Sequence, residues 1–154
     1  MSTTIALPLA GGCQCGACRY VVREAPRTIY ACHCTECQRQ SGSAFGMSMP
    51  VPRAGFAITA GTPATWRRTA ASGRAVDCLF CPACGTRLAH LPARNDRLVN
   101  VKPGTLDDTS FVRPVGHLWM RSARVAVAGA NDALCYDGQP PDFEALYAAW
   151  AAHV

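Results

Sequence analysis

The chain has 154 residues, 49% of them hydrophobic and 16% charged, a balance that predicts one globular domain over residues 1–154 and excludes a disordered polypeptide. No apolar run approaches the roughly 20 residues that cross a bilayer, so a soluble protein with no membrane partner is expected. The formal net charge of +5 falls to about +2 if seven cysteines ionise around two Zn²⁺ ions. The basic residues are scattered, with no run longer than Arg67-Arg68, so no nucleic-acid partner is expected.

In chain order, Ile5–Ala10 is mildly apolar, but no Lys or Arg precedes it. It is also shorter than the roughly 7–15 residues of a secretion signal core, so a cytoplasmic location is expected. Arg19–Arg23 is rich in strand formers. After Cys34 a short helix is predicted, with Thr35 and Gln38 at capping-box spacing and Gly42 to end it. Phe45, Met47, Met49 and Val51 alternate with small or polar residues, the pattern of a half-buried strand. Strands are predicted likewise at Phe56–Thr59, Thr65–Thr69, Val76–Phe80 and Leu98–Lys102. A C-terminal amphipathic helix follows Asp142, with Phe143, Leu146, Tyr147 and Trp150 at i, i+3, i+4 and i+7. With 13 glycines and 11 prolines punctuating these segments, the sum is a mainly β domain with short peripheral helices.

Nine of the ten cysteines fall into three groups, Cys13/Cys15/Cys18, Cys32/Cys34/Cys37 and Cys78/Cys81/Cys84, while Cys135 stands apart. Pairs one or two residues apart close loops too short to staple a domain as disulfides, and no secretion signal supports that use. Zinc accounts for them better. In an extended segment residues i and i+2 share a face, which suits Cys13 and Cys15. Cys81-Pro82-Ala83-Cys84-Gly85 forms a turn that brings two sulfurs to one ion. These two half-sites together make a closed Cys₄ tetrahedron of the structural kind.

The middle group supplies three thiolates within six residues, which leaves one tetrahedral position for an exchangeable ligand, as in catalytic zinc sites. Cys37 falls in the first turn of the predicted helix, where the dipole favours its thiolate. A Zn(Cys)₃ unit carries a net charge of about −1 and suits a fourth thiolate better than a water. Cys18, Cys78 or Cys135 would close the site instead, and spacing does not decide between an open and a closed one.

At these residues the sequence resembles the glutathione-dependent formaldehyde-activating enzyme family, which includes centromere protein V. The matching segments begin with Gly11-Gly12-Cys13-Gln14-Cys15-Gly16 and Arg19-Tyr20, then Cys32-His33-Cys34-Thr35-Glu36-Cys37-Gln38 with Gly42-Ser43-Ala44-Phe45. Phe80-Cys81-Pro82-Ala83-Cys84-Gly85-Thr86 and Gly138-Gln139-Pro140-Pro141-Asp142-Phe143 follow. The resemblance implies an Mss4-like, zinc-stabilised β-sheet fold with two Zn²⁺ ions per chain. It assigns Cys13, Cys15, Cys81 and Cys84 to the structural ion and Cys32, Cys34 and Cys37 to the catalytic one. It also implies carbon–sulfur lyase chemistry, the reversible joining of a thiol such as glutathione to an aldehyde such as formaldehyde. Cys18, Cys78 and Cys135 lie outside the family pattern, and for each a buried small hydrophobe is the default role.

Two other functions remain open at the level of sequence: a zinc-stabilised interaction module without catalysis, and a redox sensor in which Cys32–Cys37 oxidise and release metal. In an extended Cys-X-Cys the ring of His33 points away from the shared metal, so a hydrogen-bonding role is expected. For His90 and His117 packed or surface positions are expected, and Glu36 is explained by helix electrostatics. Trp66, Trp119 and Trp150 are expected in the core. Arg67 and Arg68 are expected on a solvated strand edge.

Overall fold

The computed structural model describes residues 5–70, 72–93, 95–124 and 132–154. Its strands, in chain order, are β1 (Leu9–Gly12), β2 (Arg19–Val22), β3 (Tyr30–Cys32), β4 (Gly46–Pro52), β5 (Phe56–Ala60) and β6 (Ala64–Thr69). They continue with β7 (Ala75–Phe80), β8 (Arg87–Pro92), β9 (Leu98–Val101), β10 (Gly116–Leu118) and β11 (Leu134–Cys135). The helices are α1 (Thr35–Ser41) and α2 (Glu144–Ala151). Among the described residues no helix is long and apolar enough to cross a membrane. The mainly β fold with two short helices is the expected one.

Strands β1, β2 and β5 form a three-stranded antiparallel sheet, and a larger sheet runs β11-β10-β3-β4-β9-β8-β7-β6. In the larger sheet β10 pairs with β3 and β11 in parallel, and every other neighbour is antiparallel. Alternation along β4 and β9 gives the sheet two distinct faces. Met49, Val51, Val99 and Val101 join Tyr20, Val22, Ile29 and Leu88 in a core shared with the smaller sheet. Each such apolar side chain contributes roughly 1.5–3 kcal/mol on burial. Ser48 and Pro50 of β4 and Asn100 of β9 turn to the other face, where the candidate site lies.

Strand β3 sits between β10 and β4, and all three of its residues are buried. Helix α2 packs beside it through Leu146, which is fully buried with Tyr30 and Leu118. Glycine at position 116 gives this contact room, because a Cβ there would lie 2.2 Å from Leu146 Cδ2 and displace that side chain. Trp150, one turn further along, enters the main core.

Both helix starts differ from expectation. The N-cap of α1 is Cys34 rather than Thr35: its sulfur accepts from the Cys37 backbone N–H at 3.4 Å. Gln38 closes no capping box, because its amide donates to the backbone oxygens of His33 at 2.7 Å and Ser122 at 2.9 Å. The helix does end at Gly42. Helix α2 is capped at Phe143, while Asp142 accepts from the Glu144 backbone N–H one residue in from there.

Candidate metal centres and their cavity

Cys13, Cys15, Cys81 and Cys84 come together from two turns, between β1 and β2 and between β7 and β8, with their sulfurs all within 4.8 Å of one another. Cys15 reaches the others from a tight turn rather than an extended segment, for the Gly16 N–H donates to the Cys13 oxygen at 3.0 Å. In the second turn the Gly85 N–H donates to the Cys81 oxygen at 2.8 Å, and Gly85 takes φ 76°, a conformation that favours glycine. Sulfurs about 2.3 Å from a tetrahedral zinc stand roughly 3.8 Å apart. The Cys13–Cys15 and Cys15–Cys81 separations are 3.5 and 3.8 Å, so the donor set fits that ion. Cys84 is held down to about 5, first by the Thr86 hydroxyl 3.2 Å from its sulfur and then by backbone N–H groups.

Cys32 ends β3, Cys34 caps α1 and Cys37 lies in its first turn, and the three buried sulfurs form a second group of the same tightness. Hydrogen bonds from the Cys32 and Cys37 thiols, with the N–H groups at the start of α1, hold Cys34 down to about 2. The Cys34 thiolate in turn pushes Cys32 up, with Cys37 and burial adding to the shift. Behind the trio Lys102 is buried, its Nζ donating to the Met47 oxygen at 3.2 Å and to Ser48 Oγ at 3.4 Å. Burial lowers its pKa, while the neighbouring Cys37 and Cys32 favour its charged form. Three soft thiolates backed by a buried cation suit a zinc that would otherwise leave uncompensated negative charge.

Among the described residues no fourth ligand joins this trio. Cys18 is buried beside the other group, its backbone N–H donating to Cys13 Sγ at 3.2 Å. Cys78 is fully buried on β7, and Cys135 is exposed on β11. His33 is fully buried with Nε2 3.0 Å from Nδ1 of His117 and its ring packed on Phe45. Glu36 belongs to the first turn of α1 and to neither thiol group.

The trio opens into a cavity of about 290 Å³ on the non-core face of the large sheet, near the lower end of the usual range for small-molecule sites. Tyr30, Leu118, Trp119, Gln139, Phe143 and Tyr147 line it together with the cysteines. Thus α2, expected to face only the core, also contributes Phe143 and Tyr147 to the cavity. Trp119 is half-buried, packed against the Tyr30–Leu118 cluster, and adopts φ 62°, unusual for a bulky side chain. Arg121 lies 4.7 Å above its ring. Trp66 is exposed, on the outer strand β6, whereas Trp150 is buried as expected. Arg67 and Arg68 lie on the edge strand β6 as expected; Arg67 pairs with Asp77, and Arg68 also lines the cavity.

His90 also lines the cavity, and burial, with the cations Lys102, Arg87 and Arg68 around it, drives its pKa down to about 2. Its folded pKa lies below the unfolded value of about 6.5. The neutral ring therefore contributes stability above that value, which is lost progressively as pH falls below it. Between pH 7 and pH 5 the loss from His90 amounts to about 2 kcal/mol. Melting temperatures measured across this interval should fall more steeply for the wild type than for His90→Gln. Parallel slopes would assign the acid sensitivity to other groups.

Comparison with known proteins places these residues in context. The family model described as glutathione-dependent formaldehyde-activating enzyme matches residues 8–122, a span that contains both cysteine sites. A crystal structure of a Rhodobacter sphaeroides protein superposes with a TM-score of 0.54, covering 82% of this chain and 98% of that one. At 14% identity it shares the fold. No curated protein matches the sequence.

Proposed function

The chain belongs to the glutathione-dependent formaldehyde-activating enzyme family, and from that premise we propose that it is a zinc-dependent carbon–sulfur lyase and synthase. In this proposal residues 1–154 act as one domain that makes and breaks the bond between a thiol, such as glutathione, and the carbon of an aldehyde, such as formaldehyde. The observation that carries the proposal is the trio of buried thiols opening, without a fourth ligand among the described residues, into a small-molecule cavity. Cys13, Cys15, Cys81 and Cys84 would hold a structural Zn²⁺, and Cys32, Cys34 and Cys37 a catalytic one. Bound by the trio, zinc supplies a Lewis acid that keeps an exchangeable thiol ionised at neutral pH.

The chain's own groups do the rest. Leu118 and Phe143 line the cavity beside the cysteines and exclude water from the reacting sulfur. As the substrate thiolate adds to the aldehyde carbon, a C–S bond forms, the C=O π bond breaks and the oxygen takes up the proton that the thiol released. No oxidant or reductant is required. Tyr30 also lines the cavity, and burial raises its pKa so that its phenol stays a neutral donor. In this reading its phenol, which shares a hydrogen bond with Ser48, would donate to the adduct oxygen as charge develops there. Lys102, behind the trio, offsets the charge of the three thiolates. The ten free cysteines fit a reducing compartment, and the proposal places the protein in the cytoplasm.

Exchange spectroscopy of ¹³C-formaldehyde with glutathione tests this directly. The zinc-loaded protein is expected to speed interconversion of free and S-hydroxymethylated glutathione above the spontaneous rate. Spontaneous rates at every protein concentration would instead indicate a non-catalytic zinc module.

A further inference from the structure

The cavity has two chemically distinct ends. Across the sheet from the cysteine-bearing β3 it is lined by Arg68 of β6, Arg74 of the β6–β7 turn and His90 of β8, and among the described residues no Asp or Glu lines it. Arg68 Nε and one of its terminal nitrogens are buried without a hydrogen-bond partner among the described residues. The carboxylate nearest in the strand pairing does not serve it. Asp77 is taken by Arg67, on the other face of β6, through Nε–Oδ1 and Nη2–Oδ2 contacts of 2.7 and 2.8 Å. Buried donors left unpaired are costly unless a ligand satisfies them.

The neighbours reinforce the same polarity. His90 Nε2 lies 3.1 Å from a terminal nitrogen of Arg87. Since guanidinium only donates, Nε2 accepts and the ring's proton sits on Nδ1 as a further donor. Strand register sets Trp66 opposite Cys78 and Cys78 opposite His90, so Arg68, two residues beyond Trp66, shares the face that carries His90. The charges of Arg87 and Lys102 reach the same region, both acting against protonation of His90. A planar guanidinium with free donors and no acidic neighbour is built for a carboxylate.

We propose that Arg68, assisted by Arg74 and His90, forms an anion-binding subsite that takes a carboxylate of the substrate while the sulfur lies at the cysteine end. The enzyme would thereby select thiols, and their aldehyde adducts, that carry a carboxylate remote from sulfur. This inference rests on the cysteine trio being the thiol site.

Titration calorimetry on the zinc-loaded protein, with glutathione and its diethyl ester as probes, separates the two ideas. Wild type is expected to bind glutathione at least about ten-fold more tightly than the ester, the scale of one charge-assisted hydrogen bond. Arg68→Gln should bring that ratio close to one by weakening glutathione, and Arg68→Lys should restore part of it. A purely structural role for Arg68 would weaken both probes alike and leave the ratio intact, which overturns the subsite. Equal affinities in wild type, with both lost in Cys34→Ser, would also overturn it while leaving the thiol site standing. Binding of neither probe would remove both.

Discussion

Cys81→Ser is expected to leave the chain insoluble or without cooperative tertiary structure. Cys81 is fully buried within the main core, and its sulfur lies 3.8 Å from that of Cys15, 66 residues earlier. The Cys₄ group ties the β1–β2 turn of the small sheet to the β7–β8 turn of the large one. A cross-link closing a loop of that length contributes about 4 kcal/mol through chain entropy alone. Structural zinc in small domains supplies about 10–16 kcal/mol in all, as much as the whole net stability of a typical domain. Serine is a poor zinc ligand in a pocket shaped for thiolates, so most of this contribution is lost. Far-ultraviolet circular dichroism and thermal melts with a zinc count provide the check. A variant that keeps two ions and melts within a few degrees of wild type would refute the structural assignment.

Cys34→Ser should do the opposite, keeping the fold and losing the chemistry. Cys34 caps α1 through its sulfur, and serine is among the best N-cap residues, so its hydroxyl can accept from the Cys37 N–H in the same way. What serine cannot supply is the thiolate that hydrogen bonds from the Cys32 and Cys37 thiols hold down to about 2 at Cys34. Removing a ligand should cost more than the roughly ten- to hundred-fold lost with outer-shell partners of a metal site. Native mass spectrometry is expected to show one zinc instead of two, and formaldehyde exchange should fall to the spontaneous rate. If Cys34→Ser and Cys81→Ser proved equally unfolded, the division between a structural and a catalytic ion would be wrong.

Several strands were legible in the sequence from side-chain type and alternation. The alternation of Phe45, Met47, Met49 and Val51 and the strand formers in Thr65–Thr69 and Val76–Phe80 marked β4, β6 and β7 within a residue or so. The cysteine groups were legible too, since Cys-X-Cys and Cys-X-X-Cys spacing dictates which sulfurs can meet, and both groups assemble as expected. Strands β3 and β10 carry no such signal. Tyr30–Cys32 and Gly116–Leu118 are three residues long and buried throughout, so no alternation survives, and their parallel pairing joins segments far apart in the chain. For the same reason the cavity role of Arg68 was hidden, because only the assembled sheet sets the edge strand β6 against the cavity that β3 also lines. Trp119 had no local mark, since its left-handed backbone is set by contacts on either side of it.

The two thiol groups also differ in how they meet their surroundings. All three sulfurs of the trio belong to buried residues, whereas Cys15 and Cys84 of the other group are exposed. Cys84, held down to about 5, is ionised and reachable at neutral pH before any ion has arrived. Of the two groups, a chelator or thiol reagent in solution is therefore expected to meet the Cys15 and Cys84 edge first, and the buried trio only through its cavity.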